Sequence, residues 1–152
     1  MFESALLTKL KSDSILATYV TEFVIDGSSE PAIFAEFAPE TAQLPYITFR
    51  ITQSSDEVLA IRQFSIFVDY YDYNKSASNS RKAAERIEFV LDRSILEHDR
   101  FNCIRLFFFA GSPIQEEDPR SIHYNLQFQA RAGRKKWINE IVTGTTTTTS
   151  GA

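Results

Sequence analysis

Cysteine, histidine, tryptophan and blocks of positive charge are all scarce in this chain, and each scarcity removes a class of function. A single cysteine, Cys103, cannot close an internal disulfide, and 152 residues suffice to bury a core without one. Its setting, "FNCIRLFFF", predicts a buried thiol in a strand, the usual place of a free cysteine. No base is placed beside it in sequence, as a thiol nucleophile would need. The histidines are two, His98 and His123. Glu97, His98 and Asp99 follow one another, but consecutive side chains diverge on a helix or a strand and seldom converge on one ion. A solvated helix end or turn is the expectation there, with His98 suited to the negative end of a helix dipole. The chain also lacks the GxxxxGKS/T and GxGxxG phosphate loops and the GxSxG nucleophile elbow. No catalytic residue, metal ligand or cofactor site is therefore expected, and the chain reads as a non-enzyme.

Lysine and arginine number 16 against 20 aspartates and glutamates, a formal net charge of −4. The basic residues stand singly or in short groups such as Arg81-Lys82 and Arg134-Lys135-Lys136. A nucleic-acid binder concentrates positive charge on one face, so specific nucleic-acid binding is not expected. No apolar run approaches the roughly 20 residues that span a bilayer. "MFESALLTKLKSD" lacks the basic start and apolar stretch of a signal peptide. The expectation is a soluble protein made in a reducing compartment, with no membrane partner.

What is present is patterned apolar sequence, 43% of residues, with 13% aromatic. Phe2, Leu6 and Leu10 recur at helical spacing, with Leu7 beside them. Ser12 to Ser14 interrupt that helix and offer a cap for a second one carrying Ile15, Leu16, Tyr19, Val20 and Phe23. "IDGSSEP" is turn chemistry, and "AIFAEF" a short strand. In "YITFRIT", Ile47, Phe49 and Ile51 alternate with Thr48, Arg50 and Thr52. "QSSDE" is expected to turn the chain into a long strand from about Val58 to Tyr73. "NKSASNS" supplies N-caps for a helix from about Ser80 to Leu91, extending at most to Leu96, with Ala83, Ala84, Ile87, Val90 and Leu91 on one stripe. Two more strands follow. Ile104, Leu106 and Phe108 oppose Cys103, Arg105, Phe107 and Phe109 in the first. Ile122, Tyr124, Leu126, Phe128 and Ala130 oppose His123, Asn125, Gln127, Gln129 and Arg131 in the second.

Strands here do not alternate singly with helices, which argues for a single-domain α+β fold: a mainly antiparallel sheet with helices on one face. The domain is expected over residues 1–141. Residues 142–152, rich in Thr and Gly, bury too little to order. In "FSIFVDYYDYN" the inward row Phe64, Ile66, Val68 and Tyr70 is backed by a second row that is itself partly aromatic. With Phe67, Tyr71, Phe107 and Phe109 on the uncovered face, an interface is expected there. The connection from Gly111 to Arg120, with Gln115, Glu116, Glu117 and Asp118, reads as an acidic, projecting loop. Trp137, Ile138 and Ile141 form an amphipathic piece that either packs on its own core or docks on a partner.

The short leucine-rich N-terminal helix, "LPYITF", "VDYYDYN", "SRKAAERIEFVL" and "HYNLQFQAR" together resemble the tail-terminator family of long-tailed bacteriophages, also called tail-completion or head–tail joining proteins. The resemblance covers roughly residues 2–132. It implies a structural virion protein whose subunits form a hexameric ring at the end of the tail tube. Such a ring ends tail polymerisation and meets the head connector or head-closure protein. Its partners would be further copies of the chain, the tail-tube protein and the connector, with DNA passing through the ring. The implied location is the tail or neck of the virion, after assembly in the host cytoplasm. In such a ring Phe67, Tyr71, Phe107 and Phe109 would be covered by neighbouring subunits, and the acidic loop would be free to touch tube or connector. Two alternatives stand beside this reading. One is another neck or tail component, a head-closure or tail-tube subunit. The other is a small-molecule-binding α+β domain with its pocket between sheet and helices.

Overall fold

The computed structural model describes residues 2–58, 61–99 and 101–134, the side chains of 54–58, 102 and 134 excepted. Trp137, Ile138 and Ile141, and the Thr- and Gly-rich 142–152, lie outside the described residues. The fold is α+β. Helices α1 (Glu3–Lys11), α2 (Ser14–Ala17) and α3 (Ala77–Leu91) join strands β1 (Glu22–Ile25), β2 (Ser28–Pro31), β3 (Ile33–Ala35), β4 (Tyr46–Val58), β5 (Ile61–Tyr73), β6 (Ile95–His98), β7 (Phe101–Ile114) and β8 (Ser121–Arg134). β1 and β2 pair as a separate hairpin; the other strands form one sheet in the order β3-β4-β5-β8-β7-β6. Every pairing in it is antiparallel except β3 with β4. The helix after β5 carries the chain to the far edge, and the β7–β8 hairpin returns to fill the centre.

α1 begins with Glu3 and ends with Lys9 and Lys11, charges of the sign its dipole favours at each end. Phe2, Leu6 and Leu10 are sealed beneath it. The helix expected next is a single turn. Asp13 caps it, accepting from the Leu16 N–H at 2.8 Å. By Thr18 and Tyr19 the backbone bonds have tightened to the third residue back, and the chain then leaves for β1. Phe23 therefore sits on a strand, and Ile15, expected to face inward, is exposed. Asp26 and Gly27 take φ values of 49° and 80°, the left-handed pair that a two-residue hairpin needs, so "IDGSSEP" makes β1–β2 rather than an open turn.

The residues 53–57, expected as a turn, stay in the ladder. β4 continues to Val58 through register shifts at Gln53/Ser55 and Asp56/Val58, where bulges absorb extra residues without ending the pairing. α3 starts earlier than expected, with the Ser76 hydroxyl accepting from the Ser78 N–H at 3.2 Å. It stops at Leu91 and does not reach Leu96. Arg93 turns left-handed at φ 60°, its N–H reaches the Leu106 carbonyl at 2.8 Å, and the chain becomes β6 on the edge of β7. Glu97 and His98 therefore lie on a strand rather than at a helix end.

β7 holds two further corrections. Cys103 is exposed, not buried: it sits in a register shift between Asn102 and Arg105 with φ 51°, and faces away from Ile104. The strand also continues through Gly111 to Ile114, leaving only residues 115–120 as the loop. Pro113 pairs with Tyr124 of β8 on one side, and β6 pairs with β7 only between Phe101 and Arg105, so Pro113 sits where β7 is an edge strand, the place in a sheet that tolerates proline.

α3 packs on β5, β7 and β8, while α1 reaches β3 and β6. Between these layers Phe49, Ile66, Val68, Leu106, Leu126 and Phe128 are each at most 1% exposed, as their alternation predicts. The opposite face of the sheet has no helix on it among the described residues.

Candidate functional site

The uncovered face is built from the odd-numbered residues of β5 and β8 and their partners in register. Tyr71 stands opposite Tyr46 and His123, Asp69 opposite Thr48 and Asn125, and Phe67 opposite Arg50 and Gln127. Phe107 faces Gln129 across β7 and β8, and Phe109 occupies the register shift between Phe108 and Ala110. The four aromatic residues expected at an interface share this face but form no continuous patch. The glutamines of β8 separate the β5 pair from the β7 pair.

The two pairs also differ in environment. Phe67 is half-buried, with the Arg50 guanidinium 4.7 Å from its ring centre. Tyr71 stacks on His123 at 4.3 Å and leans on Tyr46 at 5.3 Å. Loss of hydration, then the charge of Asp69, raises the Tyr71 phenol above its usual value. Phe107 and Phe109, by contrast, are 39% and 62% exposed. The more exposed aromatic part of the face is thus the β7 side.

His123 is the organising residue of the acidic end. Its Nε2 lies 2.7 Å from Asp69 Oδ1 and its Nδ1 2.7 Å from Glu116 Oε1, while the Asn125 amide donates to the same Asp69 oxygen at 2.8 Å. Ionised carboxylates only accept, so both imidazole contacts are hydrogen bonds when each ring nitrogen carries a hydrogen. The cluster ties loop 115–120 to the sheet. Asp118 adds a second tie, accepting from the Arg120 N–H at 2.9 Å and from the Tyr73 hydroxyl at 3.1 Å. The Arg120 N–H is the main reason its carboxyl is held below the usual value. Gln115, Glu116 and Glu117 are exposed, so the loop offers its charge outward while its base is fixed.

None of this cluster is legible along the chain. Asp69, Glu116 and His123 meet only because β8 returns beside β5. Thr48, Arg50, Asp69, Tyr71, His123 and Asn125 line a cleft of about 550 Å³ on the outer face. The polar groups thus converge outside the sheet, not between sheet and helices. Among the described residues no group of three or more His, Cys, Asp and Glu is arranged to hold a metal. The two ring nitrogens of His123 point to different carboxylates. Cys103 lies towards the other end of the face, with Arg105 and Arg131. No described helix is long and apolar enough to cross a membrane.

No family model matches the sequence, and no curated protein matches it. Among solved structures the chain is similar to one from the "Virion of native gene transfer agent (GTA) particle", with a TM-score of 0.67 and 18% identity, over 86% of this chain and 92% of that one. At that identity the likeness establishes a shared fold, and it runs almost end to end in both chains.

Proposed function

We propose that the chain is a structural virion protein, and within that class a tail terminator. Copies would form a ring on the tip of the tail tube, end its growth and present a surface to the head connector. The observation that carries this is the fold shared along nearly the whole chain with a component of a gene transfer agent particle. The motifs of the tail-terminator resemblance fall on regular elements of the fold: "LPYITF" enters β4, "VDYYDYN" ends β5, and "SRKAAERIEFVL" is the body of α3. The outer sheet face supports self-association, since exposed aromatic side chains such as Phe107 and Phe109, on a face without a helix among the described residues, are a common mark of an interface. Phe67, Tyr71, Phe107 and Phe109 belong to this proposed interface, and Gln115 to Asp118 to a contact with tube or connector. No catalytic role is assigned.

The test is chemical cross-linking of the protein on purified tail tubes, read as covalent mass. Closed rings of one stoichiometry at tube ends are expected. Binding along the tube wall would point to a tube subunit instead, and failure to self-associate on any tube would end the reading. The outer cleft around Asp69 and His123 favours small-molecule binding as the second reading. A saturable ligand-dependent change in Tyr71 or His123 resonances, without self-association, is the result that would favour it.

A further inference from the structure

Between α1 and the β6 end of the sheet a groove of about 500 Å³ stands open. Ala5, Thr8, Lys9 and Ser12 line it from one side of α1, and residues 95–99 line it from β6. Leu96 is buried there, while Ile95 stays 51% exposed. β6 is also the last strand of the sheet, so one of its edges has no strand beside it among the described residues. An open strand edge invites pairing with another chain, and folded proteins commonly cover it.

The chain ends its described course beside this groove. Arg134 pairs with Phe101, and Phe101 pairs with His98. The end of β8 thus lies two strand spacings, roughly 10 Å, from the end of β6. "KKWINEIV" follows Arg134, and the spacing of Trp137, Ile138 and Ile141 would gather them on one side of a helical turn. At about 1.5 Å per residue, residues 135–141 as a helix would match the α1 wall from Ser4 to Ser12, on the order of 10 Å. Phe2 meets Phe101 edge to face at 6.4 Å, so the start of α1 stands at the end where β8 finishes.

We propose that residues 135–141 of the same chain close this groove, with Trp137, Ile138 and Ile141 against Ala5, Ile95 and Leu96. Charge fits that direction of entry. Lys135 and Lys136 come first, beside the exposed Glu97 and Asp99, and Glu140 comes later, towards Lys9 further along α1. The point of attachment selects the chain's own tail over that of another copy. A segment joined about 10 Å from its site meets it at an effective concentration on the order of millimolar. Docked there, the tail shields the β6 edge from other chains. The inference concerns one subunit and is independent of the ring reading.

Trp137 is the sole tryptophan, so its emission reports on the segment in the wild-type protein. Acrylamide should quench it severalfold less than a free tryptophan amide, and Ile95→Asp should restore most of that access. Unfolding in urea checks that this variant is folded. Should it not fold, cysteine pairs decide. In a Cys103→Ser background, the exposed Thr8→Cys is combined in turn with Ile138→Cys and Ile141→Cys. Oxidation in dilute solution should close a bridge within one chain for at least one pair, since a disulfide needs Cα atoms within about 7 Å. The readout is loss of both thiols at monomer mass. Bridges formed only between chains would give the groove to the tail of a second copy and overturn the proposal. So would a wild-type Trp137 open to acrylamide, equal shielding in a folded Ile95→Asp, or no bridge from either pair.

Discussion

The same strands carry two faces that are stabilised differently. On the inner face Ile66, Val68, Leu126 and Phe128 are sealed by α3 and their own neighbours. On the outer face, Phe67, Asp69, Tyr71, His123, Asn125 and Gln127 are half-buried, with no helix above them among the described residues. They shelter one another through Arg50 over Phe67, Tyr71 on His123 and the carboxylate contacts of His123. Burial of apolar surface is non-directional and large, whereas such side-chain contacts are individually small and depend on geometry. The inner face therefore holds the subunit together. The outer face is ordered by these contacts, yet leaves exposed Phe107 and Phe109, the residues proposed above to meet a further copy.

The sharpest way to break this contrast is a core truncation. Leu126→Ala should cost about 2–5 kcal/mol in urea unfolding, the range for a large-to-small change in a packed core. A cost below about 0.5 kcal/mol, the level of an ordinary surface change, would show the inner face is not the stabilising one.

Next comes the joint between helices. Asp13 caps α2 and also accepts from Arg86 Nε at 2.8 Å and Nη2 at 2.6 Å, tying α2 to α3. Asp13→Ala should cost about 0.5–2 kcal/mol from the lost cap. The Arg86 hydrogen bonds are the main reason the Asp13 carboxyl is held below its usual value, against a smaller opposing effect of burial. A folded value lower than the unfolded one, about 3.9, gives stability that is complete above that pH. It is lost as pH falls through the folded value. The gap between wild type and Asp13→Ala should accordingly narrow in acid, and a gap independent of pH would mean the carboxylate contributes nothing as an ion.

On the outer face the expectation reverses. Phe109→Asp should leave unfolding within about 0.5 kcal/mol of wild type and yet prevent assembly on tubes. An unpaired charge in a dry contact keeps its desolvation cost. Phe67→Asp is a weaker probe, because Arg50 already lies over that ring and would pair with the new carboxylate. Wild-type assembly by Phe109→Asp would exclude the β7 side from the interface.

The smallest effect concerns the tie of the loop. His123→Phe preserves a ring on Tyr71 and removes the bonds to Asp69 and Glu116. Amide exchange should quicken around residues 115–120 while the β5 and β8 cores stay protected, as expected for local opening. Uniform acceleration would show that His123 supports the whole sheet.

The chain's own pattern determined the α+β class, the inner rows of β4, β5, β7 and β8, and the stripe of α3, because period-two and helical spacing report directly which side of an element meets apolar neighbours. It also marked where one helix interrupts another at Asp13. Periodicity could not tell the polar continuation of β4 from a turn, since bulges let residues without an apolar row stay paired. Nor could it stop α3 before β6: Arg93 turns left-handed because the edge of β7 offers its backbone bonds, and that edge comes from later in the chain. The exposure of Cys103 and the meeting of Asp69, Glu116 and His123 were decided by tertiary structure alone. Each depends on which strands become neighbours and in what register, and a bulge or a crossover changes both without leaving a mark in the local sequence.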